Sequence, residues 1–365
     1  MGGLVLMIHA MIMAGGGGTR FWPRSRKSLP KQFLSVTEGP TLLQAAYERL
    51  EGLAGSGKVW IVTGEAYRQS TLDQLSGSVV DRIVGEPIGR DTAPCVALGA
   101  ALVAAEDPNG VMVVTPADHV IEPVREFVRA VRAAALLATQ HPDALITFGI
   151  RPTYPATGYG YIQRGQAMDG PLGVKAYSVG GFREKPAPDV AERFFTSGDY
   201  YWNSGIFVWR AQTILDALKA NKPAMYDGVT AIARAWNTPH RQSVLAEIFP
   251  TLEKISIDYA VLEKHPQVLV VEAPFAWDDV GSWLALERLN PQDQNGNTVL
   301  GNHAGIETNN CVIVGEKDRL IATIGVSDLI IIQDKDATLI AHRKDEATVK
   351  QMVDLLKTKN GGTYL

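Results

Sequence analysis

At 365 residues the chain is too long for one hydrophobic core, so two domains are expected. Its 46% hydrophobic and 20% charged residues are those of an ordinary globular protein, and a net charge of −4 leaves no basic footprint for nucleic acid. Two distant cysteines, Cys95 and Cys311, suit neither a disulfide framework nor a metal site and fit a reduced, cytoplasmic setting. No run of about 18 apolar residues offers a membrane span. The opening "MGGLVLMIHAMIMA" is apolar, but it lacks a basic leader and runs straight into glycines. Residues 10–14 are therefore read as the first buried strand and residues 1–6 as a dispensable extension.

After the glycines, "TLLQAAYERL" puts Leu42, Leu43, Ala46, Tyr47 and Leu50 on one helical face. "KVWIVTG" and "DRIVGEP" read as short strands, closed by Gly64 and Pro87. "TAPCVALGAALVAAE" is apolar throughout and too long for a strand, so a buried helix is expected. "GVMVVTPAD" is a strand, "EFVRAVRAAALLAT" an amphipathic helix with Phe127, Val131, Ala134 and Ala138 inward, and "ALITFGI" a further strand. This alternation points to an α/β layer with a mostly parallel sheet. Residues 151–290 are less regular, rich in aromatic residues and glycine, as ligand-lining loops often are. The turn-rich "NPQDQNGNT" sets a domain boundary at 290/291. Beyond it, apolar runs near Cys311, Arg319, Asp328 and Ala337 read as a small β module. A terminal helix follows, with Val349, Met352, Val353 and Leu356 in a stripe that must be buried, and this raises the expectation of a homodimer.

The stretch "AGGGGTRFWPRSRKSLPKQFL" carries the first chemistry. A glycine loop after a strand lets backbone wrap a phosphate closely. The dinucleotide fingerprint fails on spacing, because Arg20 and Phe21 stand where its third glycine is needed; this counts against a dehydrogenase. The P-loop fails at the same two positions. What remains is a glycine loop with its own cations, Arg20 and Lys31, suited to phosphate oxygens.

That stretch, with "EPIGRDTAP", "TPADHVI", "PATGYGYI", "FREKP", "WNSGIFVW", "SIDYAVLEK" and "WDDVGSW" in order over residues 10–290, resembles the sugar-nucleotide nucleotidyltransferases. The likeness is closest to the mannose-1-phosphate guanylyltransferases. Members usually carry a small residue such as Ser where Gly17 sits, and often Asn where Asp91 stands. The resemblance implies a Rossmann-like, GT-A-like three-layer α/β domain over 1–290, with a C-terminal β module and terminal helix over 291–365. It implies transfer of GMP from GTP to mannose 1-phosphate, giving GDP-mannose and pyrophosphate, with Mg²⁺ as cofactor.

Residues take expected roles on that basis. Ala14, Gly15, Gly16, Gly17, Gly18 and Thr19 wrap the triphosphate, with Arg20 and Lys31 offsetting its charge. Asp118 follows the strand "GVMVVTPA" at its carboxyl end, where open α/β sheets bind ligands, and is assigned to the metal; a helix N-cap is its plainer reading. Asp279 matches the family's second metal carboxylate, with Asp278 its rival. Glu86 is the carboxylate for the guanine N1–H and amine, with Pro87 and Gly89 closing over the ring; an exposed turn is its plainer reading, and Arg90 is an alternative orienter of the loop. Gly158, Tyr159, Glu184 and Asn203 are assigned to the sugar and Lys185 to its phosphate. The tryptophans Trp202, Trp209, Trp277 and Trp283 are read as core or pocket walls. Rival readings are the same reaction class with another sugar phosphate or nucleotide, and a non-catalytic regulatory relative, against which Arg20, Lys31, Asp118 and Asp279 count.

Overall fold

The apolar run before the glycines forms strand β1 (Ile8–Ala14), buried along nearly its whole length, as are the apolar strands Val59–Gly64, Val111–Pro116 and Leu145–Ile150 of the same sheet. The structure, a computed structural model, describes residues 7–16, 18–55, 57–75, 77–359 and 362–365. The assignments made above to Gly17 and to residues 1–6 lie outside them.

The chain divides into two compact units. The first runs up to Gly15 and takes in Ala46–Ala117 and Ile121–Trp277; the second is Gly16–Ala45, Asp118–Val120 and Asp278–Leu365. These units interleave along the chain, unlike the linear segments 1–290 and 291–365. The cause is the glycine loop, whose aromatic residues belong to the core of the second unit.

In the first unit the further strands are β2 (Val59–Gly64), β3 (Ile83–Glu86), β4 (Val111–Pro116), β6 (Leu145–Ile150), β7 (Tyr161–Asp169), β8 (Lys175–Arg183), β9 (Tyr200–Arg210) and β10 (Val268–Glu272). Short strands β5 (Val120–Glu122) and β11 (Ala276–Asp278) lie where the chain passes from one unit to the other. The nine-stranded sheet has the order β3-β2-β1-β4-β9-β6-β10-β8-β7. Strands β3, β2, β1 and β4 are mutually parallel, as expected, and so are β6 and β10. Strands β7, β8 and β9 join antiparallel, making the sheet mixed. Their alternation is hidden in the sequence because the register shifts between β7 and β8 and again between β6 and β9. In the parallel block the chain goes from β1 to β2 on one side and returns to β4 on the other. This makes the carboxyl end of β1 a topological switch point, the usual place for a ligand.

Helices cover both faces of this sheet. Helix α1 (Leu42–Ala54) opens the series, followed by α2 (Arg68–Gln74). Helix α3 (Thr92–Glu106) is buried at every residue from Ala93 to Val103, which explains its unbroken apolar composition. It shares one core with α6 (Ala211–Asn221), α7 (Pro223–Ala235) and α8 (Arg241–Ile248). The amphipathic α4 (Val124–Gln140) packs on β4, β6 and β9, with Phe127, Val131, Ala134 and Ala138 buried as its spacing predicts. Helix α5 (Pro188–Ser197) lies against β9.

The second unit holds β12 (Thr298–Leu300), β13 (Asn302–Asn309), β14 (Val312–Val314), β15 (Leu320–Ser327), β16 (Leu329–Asp334) and β17 (Ala337–His342). Two parallel ladders, β12-β14-β16 and β13-β15, stack successive coils as a β-helix, and β17 closes one ladder antiparallel. Helix α9 (Leu286–Leu289) precedes the coils and α10 (Val349–Lys359) follows them. Val349 and Val353 of α10 are buried within the unit's own core, whereas Met352 is 41% exposed. The apolar stripe is thus narrower than its spacing suggests, and it is covered by this chain itself. No helix among the described residues is long and apolar enough to cross a membrane.

Candidate functional site

In the first unit the carboxyl ends of β1 and β3 bring two sequence-predicted elements together. Ala14 ends β1 buried, its carbonyl accepting a 3.0 Å hydrogen bond from Thr63 Oγ1, and Gly15 emerges exposed. Glu86 ends β3 and is only 5% exposed, not in an open turn. Its Oε2 lies 3.5 Å from where a Cβ on Gly15 would sit. Its Oε1 is buried with no partner among the described residues. Burial pushes the Glu86 carboxyl up to about 7, against a hydrogen bond from the Cys95 thiol of α3 that pulls it down. A buried carboxylate oxygen without a donor is costly, which marks it as a place for a ligand's N–H. Pro87 and Gly89 are exposed, with open space beside Gly89. Arg90 donates to the Pro250 carbonyl and so orients this loop. Asp91 caps α3 through its bond to Thr92 N at 2.8 Å, in the left-handed region at φ 67.

A second cluster in the first unit gathers acids around one lysine. Glu184 and Lys185 are ion-paired at 2.8 Å, with Lys185 at φ 41 and largely exposed. Glu184 lies against Gly160, where a Cβ would collide with its carboxylate, while Gly158 has open space around it. Tyr159 sits edge-on to Trp202 and Trp277, at 4.9 and 5.5 Å between ring centroids. Asn203 donates 2.8 Å to Asp258 Oδ1 and accepts 3.2 Å from Thr147 Oγ1, which leaves one amide hydrogen for another partner. Asp258 was not singled out from the sequence. It opens a π-helical turn, Asp258–Leu262, a local irregularity frequent at functional sites. Burial, with Glu184 nearby, raises its carboxyl to about 6. Its only sequence signal is an acid placed just before the apolar run of "SIDYAVLEK". Trp202 and Trp209 are buried and Trp277 is partly so, as walls rather than chemistry.

The second unit carries the cations. Gly16, Thr19 and Arg20 are exposed, and Arg20 makes no ion pair among the described residues. Gly18 is left-handed at φ 56, and a Cβ there would lie 2.8 Å from the Lys31 backbone nitrogen. Lys31 is only 6% exposed. Its Nζ donates to Asp118 Oδ2 at 2.8 Å and to the Asp279 carbonyl at 2.5 Å, and lies 5.9 Å from the Phe21 ring centroid. Burial works against charge on Asp118, but the Lys31 ammonium and His119 outweigh it and hold the carboxyl below the usual carboxylate range. Asp278 is committed elsewhere, to Val280 N at 2.7 Å and to Arg288 at 2.6 and 3.1 Å. Val280, fully buried, is held at φ 47, a strained conformation for a β-branched residue that core packing must enforce. Trp283 is buried in the same core, again a packing residue.

Mg²⁺ takes oxygen ligands, usually one or two carboxylates with the rest from phosphate and water. Among the described residues no group of three or more His, Cys, Asp or Glu is placed to hold a metal. Ionised Asp118, a third exposed, and Asp279 fit the open kind of site, not an all-protein cage.

The sequence profile described as nucleotidyl transferase matches residues 9–296. The chain belongs to the nucleotidyl transferase family. The profile of the mannose-phosphate isomerase/GMP-like β-helix domain matches residues 301–356 of the same nucleotidyl transferase. The chain is similar to a protein named putative mannose-1-phosphate guanylyltransferase from Vibrio cholerae serotype O1, 37% identical over 362 residues, covering 98% of this chain and 76% of the relative. It is also similar to the mannose-1-phosphate guanylyltransferase of Escherichia coli K12, 38% identical over 355 residues, with 96% and 73% covered. A crystal structure from Thermus thermophilus, described as a mannose-1-phosphate geranyltransferase, superposes with a TM-score of 0.86 at 33% identity, over 97% of this chain and all of that one. The nucleotidyl transferase described here is thus an enzyme of the sugar-1-phosphate nucleotidyltransferase class, in its mannose-1-phosphate guanylyltransferase branch.

The raised Glu86 carboxyl gives a test of its burial. Between pH 4.5, its ordinary value, and about 7, the folded state keeps a proton that the unfolded chain has lost, so Glu86 costs stability as pH rises through that window. Glu86→Gln removes the cost. The variant should unfold at higher urea than the native chain at pH 8, by up to about 3 kcal/mol, and match it near pH 4.5. An equal urea midpoint at both pH values would place the carboxyl in contact with water.

Proposed function

We propose that this nucleotidyltransferase uses GTP and mannose 1-phosphate, releasing pyrophosphate and GDP-mannose. The observation that carries the reading is the buried Lys31 ammonium bonded to both Asp118 Oδ2 and the Asp279 carbonyl. It gathers a cation and two acidic residues beside an exposed glycine loop with Arg20. The names of the relatives favour the sugar and the base.

A phosphate monoester is mostly dianionic at neutral pH, its second pKa being about 6, so the attacking oxygen needs no general base. That oxygen forms a bond to the α-phosphorus of GTP, the bridging α–β bond breaks in line, and the electron pair leaves with pyrophosphate. Catalysis is then positioning and charge neutralisation. Arg20 and Lys31 offset the departing pyrophosphate. Asp118 and Asp279 would hold Mg²⁺, which supplies further charge neutralisation on the phosphates. Asp279 is preferred over Asp278 because it matches the family's second metal carboxylate; Asp278 bonds to Arg288 and Val280 N. Ionised Glu86 accepts from the guanine N1–H and amine, with Pro87 and Gly89 beside the ring. Glu184 and Asp258 accept from sugar hydroxyls, Asn203 holds Asp258 in place, Tyr159 covers the ring, and Lys185 meets the sugar phosphate. Two buried, unpaired cysteines suit the reducing cytoplasm in which we place the reaction.

Pyrophosphate release from GTP and Mg²⁺, with and without mannose 1-phosphate, tests the reading directly. Release should require the sugar phosphate and weaken when ATP or UTP replaces GTP. No release alongside binding of GDP-mannose would instead make the chain a regulatory relative. Asp118→Asn should lower turnover by about a hundredfold or more with the fold intact, as expected when a group acting on transition-state charge is lost; an unchanged rate removes Asp118 from the metal. Lys185→Ala should raise the KM for sugar phosphate by about tenfold, the value of one charge-assisted hydrogen bond, with the KM for GTP unmoved. A shift in the GTP value instead would reverse the placement of the two substrates.

A further inference from the structure

Between the glycine loop and Lys31 the sequence carries "WPRSRK", whose cations the proposed chemistry does not use. Arg24 is largely buried, which lowers its pKa, and it donates 2.8 Å to the Gly315 carbonyl. Arg26 has all three kinds of guanidinium nitrogen engaged. Its Nε donates to the Pro23 carbonyl and its NH1 to the Tyr364 carbonyl at 2.9 Å. Its NH2 pairs with Asp336 at 2.6 Å and Asp334 at 3.5 Å. The side chain is 12% exposed, so it is not a surface cation waiting for a phosphate. The Tyr364 carbonyl also accepts 2.8 Å from the indole of Trp22, next to Phe21 in the loop. The Trp22 carbonyl in turn accepts 3.1 Å from Trp283 Nε1, and the Trp283 ring lies 4.8 Å from that of Phe21. Every member of this chain of contacts lies in the second unit.

We infer that Arg26 and the Tyr364 carbonyl together brace the segment from Gly18 to Lys31 in the position that binds the nucleotide triphosphate. The inference rests on the reading of Arg20 and Lys31 as cations on those phosphates. One carbonyl accepts from both Trp22 and Arg26, and the fork of Arg26 reaches on to the β16–β17 turn through Asp334 and Asp336. A planar fork can tie three backbone segments at once; a lysine cannot. Arg26 touches no reacting atom in this scheme and is a positioning residue.

The test is steady-state kinetics and direct GTP binding for Arg26→Ala, Arg26→Lys and a chain ending at Lys359, each with its urea midpoint. The KM for GTP should rise and kcat/KM for GTP should fall by about a hundredfold, the scale of a misplacement of about 1 Å. The KM for mannose 1-phosphate should not move, because Glu184, Lys185 and Asn203 lie in the first unit. Arg26→Ala combined with the truncation should cost less than the sum of the two, since both remove the Arg26–Tyr364 contact while each also removes contacts of its own. If Arg26→Ala does not fold, Arg26→Lys keeps a cation facing Asp334 and Asp336 and still loses the fork. A lower kcat with both KM values unchanged, which a reduced folded fraction would give, overturns the brace, and so do additive effects of the two changes. A native chain that binds GTP but transfers nothing overturns the functional reading alone, and loss of GTP binding in the variants then still upholds the brace. A native chain that binds no GTP overturns both.

Discussion

Lys31 is almost entirely buried, at 6% exposure, so its ammonium must be answered by the protein. Withdrawing an ammonium from water costs several kcal/mol, and only well-placed acceptors offset it. Asp118 Oδ2 and the Asp279 carbonyl provide them, and so fix three chain segments at one point. Gly18 closes over the lysine from the remaining side, a position where any Cβ would strike it. The interleaving of the two units along the chain follows from this knot and from the core that surrounds Phe21, Trp22 and Val280.

The carboxyl groups divide by surroundings. Asp118, beside an ammonium, stays ionised well into acid. Glu86 and Asp258, where burial outweighs the hydrogen bonds each accepts, sit at about 7 and about 6. Separate environments of this kind let acids of one chemical type take different roles: one neutralises cations, the others accept hydrogen bonds from neutral donors. Perturbed acids of this kind cluster at functional sites, and structural ion pairs produce them as well.

Much of this was legible in the sequence. The parallel strands and α3 follow from unbroken apolar runs, and the inward faces of α1 and α4 from hydrophobic period, because each of the two helices is buried on the side its spacing predicts. The β-helix coils follow from apolar runs, with β14, β15, β16 and β17 beginning at Val312, Leu320, Leu329 and Ala337. The antiparallel β7–β9 were not legible, since bulges break their alternation. The motifs pointed to Lys31, Asp118, Glu86 and Glu184, but pairings are long-range facts that spacing does not hold. That Lys31 meets Asp118 is one; that Asn203 serves Asp258 is another. The sequence did not single out Arg24 and Arg26, because their acceptors are mostly backbone carbonyls, which have no sequence signature.

The packing of Phe21 and Trp22 also sets an order of events during synthesis. These residues are made early, yet their core neighbours Val312, Ile330, Val349 and Val353 leave the ribosome long after them. Until then Lys31 has neither the aromatic bed beneath it nor, before residue 279, its second acceptor. Such long-range closure is slow relative to local helix formation. The glycine loop thus stays without its aromatic core until the coils and α10 that complete it have been made.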